Sequence, residues 1–430
     1  MTTRRIIIRA VFFSLAIACS AALYVYLQGQ SSATETIPAT ASTDSLHRAA
    51  ARDSARAAFV GLLQHTYSID TLDADSSRLV ADTAYRARPR DGHVGGRKVS
   101  ISVCGVDSRL NERVEHADAN HVITVWLDSG VVDIISIPRD TPCDAGFARN
   151  SNLNNLANVR ARMGRDEYLR EVTKIAGLDT IEYYIELGFS QARGLLELIG
   201  FRDNAEATLK VLRSRKAFAS GDFQRCFNQG QFIRQAMLNH FGKLDGITGG
   251  FLVKAGLYLV TSNLTSDIVE NIRQTLADHG FPKNRETVSV CIMPEYYAKM
   301  SVFNFGDSLV MGGLVNKINR QADHMGIDRR SGDSAMALFH SRIHGLIAKA
   351  IFDSAKAPVR VIANLRRCYE QRVWWQIADK SERSRVRAAL AGLLAHAYLR
   401  VGKPAEAADV RNIAEFEEQM LVPQNGFGAN

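Results

Sequence analysis

The stretch VSISVCGVDSRLNERVEHADANHVITVWLDSGVVDIISIPRDT spans residues 99–141, and the rest of the chain is organised around it. It contains three runs rich in β-branched residues, 99–106, 121–127 and 131–137. Such short runs, bounded by charged residues, predict three adjacent strands. The sequence therefore predicts an α/β fold in which these strands form the centre of the sheet.

Charged side chains stand near the ends of these predicted strands. Asp107 and Arg109 follow the first run, and Asp118 lies in the predicted loop before the second. Arg139 and Asp140 follow the third run. Because open α/β sheets bind ligands beyond the carboxyl ends of their strands, we expect these polar groups to converge at one sheet edge.

Composition limits the classes of protein that fit. The chain has 430 residues, of which 46% are hydrophobic and 23% charged, enough for a large core and a smaller module without bulk disorder. The net charge of +8 suits a phosphate-rich ligand or an anionic lipid surface, and a mildly basic surface without function fits equally well. None of the six cysteines forms a CxxC pair, which argues against a zinc site.

The N-terminus predicts a membrane anchor. Residues 10–27 are eighteen uncharged residues preceded by Arg4, Arg5 and Arg9, so the positive-inside rule leaves the short tail in the cytoplasm and the rest of the chain outside. A cleaved signal peptide and lipid attachment at Cys19 are the alternatives. The apolar run continues past Cys19, which favours an uncleaved signal anchor.

A second cluster of polar residues, LKVLRSRKAFASGDFQRCFNQGQFIRQAMLNHF, covers residues 209–241. If LRSR is extended, Arg213 and Arg215 share one face, where an anion between them would offset their repulsion. This pattern predicts a second group of cations that bind an anionic ligand.

A helix is predicted to follow, with Asp222 as its N-cap. Its apolar residues recur at helical spacing as Phe223, Phe227, Gly230, Ile233, Met237 and Phe241. Arg225 and Gln229, four residues apart, flank this apolar stripe. An arginine in the first turns of a helix, beside free backbone N–H groups, is a natural seat for phosphate.

In order and spacing these motifs resemble the LytR-CpsA-Psr (LCP) family of cell-envelope phosphotransferases. GVDSR at 105–109, ADA at 117–119 and SIPRDT at 136–141 are similar to the family's first three signatures. Residues 209–241 resemble its Arg-x-Arg motif followed by Asp-x-x-Arg-x-x-Arg-Gln-Gln. A single short motif of this kind has little specificity, but the ordered set does not arise easily by chance.

The chain departs from the family pattern at four positions. Asn228 and Gly230 replace the second arginine and the second glutamine of the later motif, whereas Gln229 is retained. Ala119 replaces a threonine, and Asn152 stands where the family has a lysine. These losses concern affinity or substrate detail more than the central Arg and Asp residues.

The resemblance implies an LCP-type α-β-α sandwich with a central mixed sheet, preceded by an N-terminal transmembrane helix and followed by a mostly helical C-terminal module. The predicted parts are a cytoplasmic tail and anchor at 1–28, a linker at 29–96, the catalytic domain at 97–325 and the helical module at 326–430. In that module VRVIAN, 359–364, is a candidate strand.

The resemblance also implies the activity: transfer of a glycopolymer from a polyprenyl-pyrophosphate carrier to a peptidoglycan or other cell-envelope hydroxyl, outside the cytoplasm at the cell membrane. The implied catalytic residues are Asp107, Arg109, Asp118 and Arg139. The implied pyrophosphate-binding residues are Arg109, Arg139, Asp140, Arg213, Arg215, Arg225 and Gln229. Asp107 and Asp118 are the implied ligands of Mg²⁺, because two carboxylates in a basic cleft are costly without a cation.

Two other functions fit the same motifs. A pyrophosphate hydrolase would use water as the acceptor, and a non-catalytic regulator would only bind the polyprenyl phosphate. Direct control of nucleic acid is not expected, because only five residues precede Ile6 at the predicted cytoplasmic end.

Overall fold

The computed structural model describes residues 85–86, 96–107, 115–201, 204–215, 217–218, 220–294, 300–325 and 330–421, with side chains described from 96 onwards except for 330–335 and 420–421. The chain divides into two compact units, 1–68 and 69–430, and all of the described residues lie in the second unit. The predicted anchor, 1–28, and Arg109 both lie outside the described ranges. Within the described ranges, no helix is both long enough and apolar enough to cross a bilayer.

One mixed sheet of seven strands forms the centre of the described fold. The strands are β1 (Tyr85–Arg86), β2 (Lys98–Asp107), β3 (His116–Trp126), β4 (Val131–Ile137), β5 (Tyr183–Gly188), β6 (Thr261–Ser262) and β7 (Val288–Ile292). Their order across the sheet is β1-β7-β4-β3-β2-β5-β6. Strands β2, β3 and β4 form an antiparallel meander, whereas β5 and β7 pair in parallel with β2 and β4. The predicted α/β class with a central mixed sheet is confirmed.

Twelve α-helices accompany the sheet in the described residues. They are α1 (Leu156–Met163), α2 (Arg165–Ala176), α3 (Phe189–Leu198), α4 (Ala205–Arg213), α5 (Gly221–His240), α6 (Gly246–Leu259), α7 (Ser266–Asp278), α8 (Ser308–His324), α9 (Arg330–Asp353), α10 (Pro358–Glu370), α11 (Lys380–Arg400) and α12 (Pro404–Leu421).

The two faces of the sheet carry separate cores. Ile135 packs in a cluster with Tyr168 of α2, whereas its neighbour Ile134 packs in a cluster with Phe227 of α5. Successive side chains of a strand point to opposite faces, so a strand buried on both sides reads as a continuous apolar run. The sheet is thus covered by helices on both faces.

Three local predictions are wrong in detail. Strand β3 begins at His116, so Asp118 lies in a strand and not in a loop. LRSR is not extended, because α4 continues to Arg213 and buries Leu209 and Leu212. Helix α5 begins at Gly221, with Ser220 at its N-cap position and the predicted cap, Asp222, in its first turn.

The C-terminal residues form four helices, α9 to α12. The candidate strand at 359–364 is instead part of α10, because Val361, Leu365 and Cys368 are buried at helical spacing. This module packs on α3, where a Cβ added to Gly194 would lie 3.0 Å from the ring of Trp375. The predicted domain boundary at 325 stays a prediction.

Candidate active site

A β-bulge places Asp118 at the sheet edge where the motifs meet. Gly105 pairs with Ala119 and Val106 pairs with Ala117, which leaves Asp118 as the extra residue of β3. Bulges change the direction in which a side chain points and are common beside active sites. Strands β2 and β4 run antiparallel to β3, and β5 runs parallel to β2. The carboxyl ends of β2, β4 and β5 therefore lie at the same edge as the amino end of β3, where Asp118 stands.

Gly105 faces Ala119 across this bulge. A Cβ at position 105 would lie 2.9 Å from the Cβ of Ala119. Real Cβ atoms essentially never come this close, so a glycine at position 105 allows the two strands to pair here.

Arg139 binds the side chain of Asp118. It follows β4, forms a short ion pair with that carboxylate, and donates from Nε to Oδ1 of Asp140 at 3.2 Å. The side chains of Arg139 and Asp118 are 21% and 28% exposed, so a ligand in solvent can reach the pair. The predicted meeting of these three residues at one edge is what the structure shows.

Arg225 of α5 binds the backbone of the same residue. Its Nη2 donates to the carbonyl oxygen of Asp118 at 3.2 Å and lies 2.6 Å from Oδ1 of Asp222. Two guanidinium groups, one from the end of β4 and one from α5, therefore meet at Asp118. A bulged residue is consequently the point where the sheet and the helix of the second motif are joined.

Asp222 and Arg225 form a desolvated charge pair. Both carboxylate oxygens of Asp222 and the Nε of Arg225 lack a hydrogen-bond partner among the described residues. Burial raises the pKa of Asp222 above its usual value, although Arg225 opposes the shift. Burial likewise lowers the pKa of Arg225, against the attraction of Asp222. The pair is held by charge and retains unused hydrogen-bonding capacity.

The two arginines of the Arg-x-Arg motif occupy different surroundings. The guanidinium of Arg213 lies over the ring of Phe189, 4.6 Å from its centroid, just beyond the end of β5. Arg215 is exposed, and its charge acts on both Asp222 and Arg225. Asp118, Arg139, Asp222 and Arg225 are called the Asp118 cluster below. Arg215 belongs to this cluster, whereas Arg213 lies beside it at the end of α4.

Gln229 uses both ends of its amide within the protein. Its Nε2 donates to the carbonyl oxygen of Leu212 at 2.8 Å, and its Oε1 lies 3.3 Å from Nε2 of His121. His121 is buried, bonds to Ser136 through Nδ1, and has its pKa lowered to about 4 by burial. Gln229 thus connects α5 to α4 and to the sheet.

Gly230 packs α5 tightly against the sheet. A Cβ there would lie 2.4 Å from Oγ of Ser136 and 2.9 Å from Cγ1 of Val290. The glutamine of the family motif would not fit without moving the helix. This close packing also leaves no space for a lipid chain between α5 and the sheet at that point.

Asp107 ends β2 and pairs in register with His116. No group of three or more His, Cys, Asp or Glu side chains suited to a metal occurs in the described part of the chain. The two carboxylates predicted to bind Mg²⁺, Asp107 and Asp118, thus fit an ion only if other ligands, such as phosphate oxygens and water, complete its shell.

A second charged group, which none of the motifs predicts, lies close to this edge. Glu186 of β5 accepts hydrogen bonds from Arg160 and Arg165, the first at 2.7 Å between Nε and Oε1. Burial alone would raise the pKa of Glu186, but the two arginines outweigh it and lower the pKa. The sequence signal for this group is a glutamate inside the apolar run IEYYIELGF, 181–189, because a buried charge in a strand requires a partner.

Comparison with known proteins agrees with the motifs. Residues 73–200 match the model of the LytR_cpsA_psr family. A search of the curated proteins finds no match. Among solved structures, B. subtilis TagV is 17% identical, covering 53% of this chain and 98% of its own, with a TM-score of 0.38. TagT bound to LI-WTA is 16% identical, covering 54% and 95%, with a TM-score of 0.36.

The family match includes the β2 to β4 meander and with it Asp107, Asp118 and Arg139. The resemblance that the sequence motifs indicated is thereby confirmed over residues 73–200, which match the LytR_cpsA_psr family model.

Proposed function

We propose that this protein is a membrane-anchored transferase that moves a glycopolymer from a polyprenyl-pyrophosphate carrier to a hydroxyl of peptidoglycan or another envelope polymer. The family match supports the reaction class. The observation that carries the proposal is the meeting of Arg139 and Arg225 at Asp118, on the sheet edge where ligands bind.

Arginine suits the chemistry that this reaction needs. In phosphoryl transfer the acceptor oxygen bonds to phosphorus while the bond to the leaving phosphate breaks, and most of the catalysis is positioning and charge stabilisation. A guanidinium binds phosphate oxygens through two parallel N–H bonds and never loses its proton. We expect Arg139, Arg215 and Arg225 to bind the pyrophosphate, and Arg109 is the further cation implied by the motif.

Binding of a pyrophosphate has to replace ion pairs that the arginines form with carboxylates. Asp118, Asp140 and Asp222 pair with Arg139 and Arg225. A pyrophosphate must therefore compete for the guanidinium groups. Asp107 and Asp118 would hold Mg²⁺, which would neutralise part of the pyrophosphate charge and the negative charge that the competition releases.

The test uses the purified full chain with a polyprenyl-pyrophosphate glycan and a peptidoglycan acceptor. We expect glycan on the acceptor and release of polyprenyl phosphate in equal amounts. Release of polyprenyl phosphate and free glycan phosphate without acceptor would establish the hydrolase, and binding without any product would establish the regulator. Either result would overturn the proposal.

The metal is tested separately by ligand titration. We expect Mg²⁺ to bind weakly alone and tightly with a pyrophosphate lipid, because the lipid supplies ligands of its own. Asp107→Asn should abolish transfer and remove the Mg²⁺-dependent part of the affinity. Equal ligand affinity for both proteins with and without Mg²⁺ would exclude a metal site formed by Asp107.

A further inference from the structure

The corner between α9 and α10 leaves large apolar side chains in solvent. Phe352 near the end of α9 is 78% exposed, Ile351 beside it is 59% exposed, and Val359 at the start of α10 is 69% exposed. The backbone carbonyl of Asp353 accepts from both Lys356 and Ala357, which closes the turn and keeps these apolar residues together. Exposed apolar side chains grouped in this way mark an interaction surface.

The exposed face of α9 continues this surface. Leu338, Arg342, Gly345, Lys349 and Phe352 recur at helical spacing, and all five are exposed. The opposite face of α9 packs into the core of the C-terminal module, where Ile343 and Ala350 are buried. The outer face of α9 therefore has apolar residues at both ends and two cations between them, an arrangement that core packing does not explain.

Cations outnumber carboxylates at this corner. Residues 336–369 contain six Lys and Arg residues and one acidic residue, Asp353, which is buried. Arg366 pairs with Glu370 at the end of α10, and Arg367 pairs with Glu115. The other four cations have no ion pair within the part of the chain that the structure describes; they are Arg342, Lys349, Lys356 and Arg360. Carboxylates lie on the side of Val359, which shares a pocket with Glu370, Glu406 and Asp409.

Exposed apolar side chains interleaved with unpaired cations fit one kind of partner, the surface of an anionic bilayer. The apolar groups enter the region between the headgroups and the acyl chains, and the cations bind lipid phosphates. We propose that the α9–α10 corner docks on an anionic membrane surface through Phe352, Ile351 and Val359 together with these four cations. The proposal does not depend on the transferase activity.

The test places an environment-sensitive dye at the corner of the full chain. Ser354→Cys in the turn carries the dye, Cys19 is replaced by serine, and the five other cysteines are buried. The protein is reconstituted with vesicles of phosphatidylcholine alone, or of phosphatidylcholine and phosphatidylglycerol at two to one. Both contain a lipid with a quencher at the headgroup. A dye at Asp179→Cys, an exposed residue after α2, reports on a site outside the corner.

We expect the corner dye to lose most of its fluorescence on the anionic vesicles and little on the neutral ones, whereas the dye at residue 179 should not respond to lipid charge. The K349E/K356E/R360E variant should abolish the quenching, because each cation near an anionic surface contributes about fivefold to binding. The K243E/K254E/K283E variant has the same change in net charge and should keep it. Phe352→Ser should weaken the quenching with all cations in place.

Three results would overturn the proposal. Equal quenching on neutral and anionic vesicles would mean that any nearby bilayer is reached without charge recognition. Absence of quenching on both would mean that the corner does not meet lipid. A dye signal that changes with protein concentration but not with lipid would identify the corner as an interface between copies of this chain.

Discussion

Arg383 joins the helical module to the sheet domain. It differs from the arginines of the Asp118 cluster in how many of its guanidinium N–H groups have partners within the protein. Arg383 of α11 is 2% exposed, donates to both oxygens of Glu197 and also donates to the carbonyl of Ile377. Arg139 is half-buried and meets one oxygen each of Asp118 and Asp140. A saturated guanidinium is built into the structure, whereas a partly used and accessible one can still bind a ligand.

The comparison predicts a large structural effect at Arg383. Arg383→Met should lower the free energy of unfolding by about 3–5 kcal/mol, because it leaves the half-buried Glu197 without its bidentate partner. Arg385 lies on the same helix and pairs with Glu382, but its own side chain is 71% exposed, so Arg385→Met should cost at most about 1 kcal/mol. Urea denaturation of both variants measures the difference. Equal midpoints would show that the Arg383 pair does not hold the module in place.

Arg139 should show the opposite behaviour. Arg139→Ala should reduce transfer about 100- to 1,000-fold, as expected for losing one charge stabiliser of the transition state, while the melting temperature changes little. Arg97→Ala is the matched control, because Arg97 also pairs with an aspartate, Asp128, but is 79% exposed at the opposite end of β2. Initial rates and thermal melts compare the two. Unfolding of Arg139→Ala at a much lower temperature would make Arg139 a structural ion-pair residue.

Arg225 lies between these two cases. It faces the cluster but is buried, and its loss would leave Asp222 as a desolvated carboxylate. The burial of Arg225 predicts that Arg225→Ala loses both binding and stability, which distinguishes it from Arg139.

The close packing at Gly230 gives the next prediction. Gly230→Ala should cost about 1–3 kcal/mol, because the added methyl group meets Ser136 and Val290. Gly392→Ala on α11 should instead stabilise by up to about 1 kcal/mol, since a Cβ there has nothing within 4 Å and helices favour alanine. Thermal melts of both variants decide the point. A neutral Gly230→Ala would mean that α5 can move away from the sheet.

Much of this fold was predictable from local patterns. The apolar runs located β2, β4 and most of β3, because a strand buried on both faces leaves a continuous signal. The meeting of Asp118, Arg139 and Arg225 followed from motif order. The environment of each residue was not predictable: the bulge at Asp118, the helical state of Arg213 and the internal bonds of Gln229 all depend on contacts between distant segments.

The smallest effect concerns pH and separates Glu186 from Asp222. The two arginines lower the pKa of Glu186, so its contribution to stability is complete above the unfolded value of 4.5 and is lost as the pH falls through the lower folded value. The advantage of the wild type over Glu186→Gln in melting temperature should therefore be constant near neutral pH and shrink below pH 4.5. Burial raises the pKa of Asp222, so its sign is opposite: ionised Asp222 opposes folding, and the wild type should lose ground to Asp222→Asn as the pH rises through the folded pKa. Melting curves of the wild type, Glu186→Gln and Asp222→Asn, recorded from acidic to neutral pH, measure both trends. Parallel curves for the two variants would mean that the Asp222–Arg225 pair is as well satisfied as the Glu186 pair, and that the Asp118 cluster has no unused capacity for a ligand.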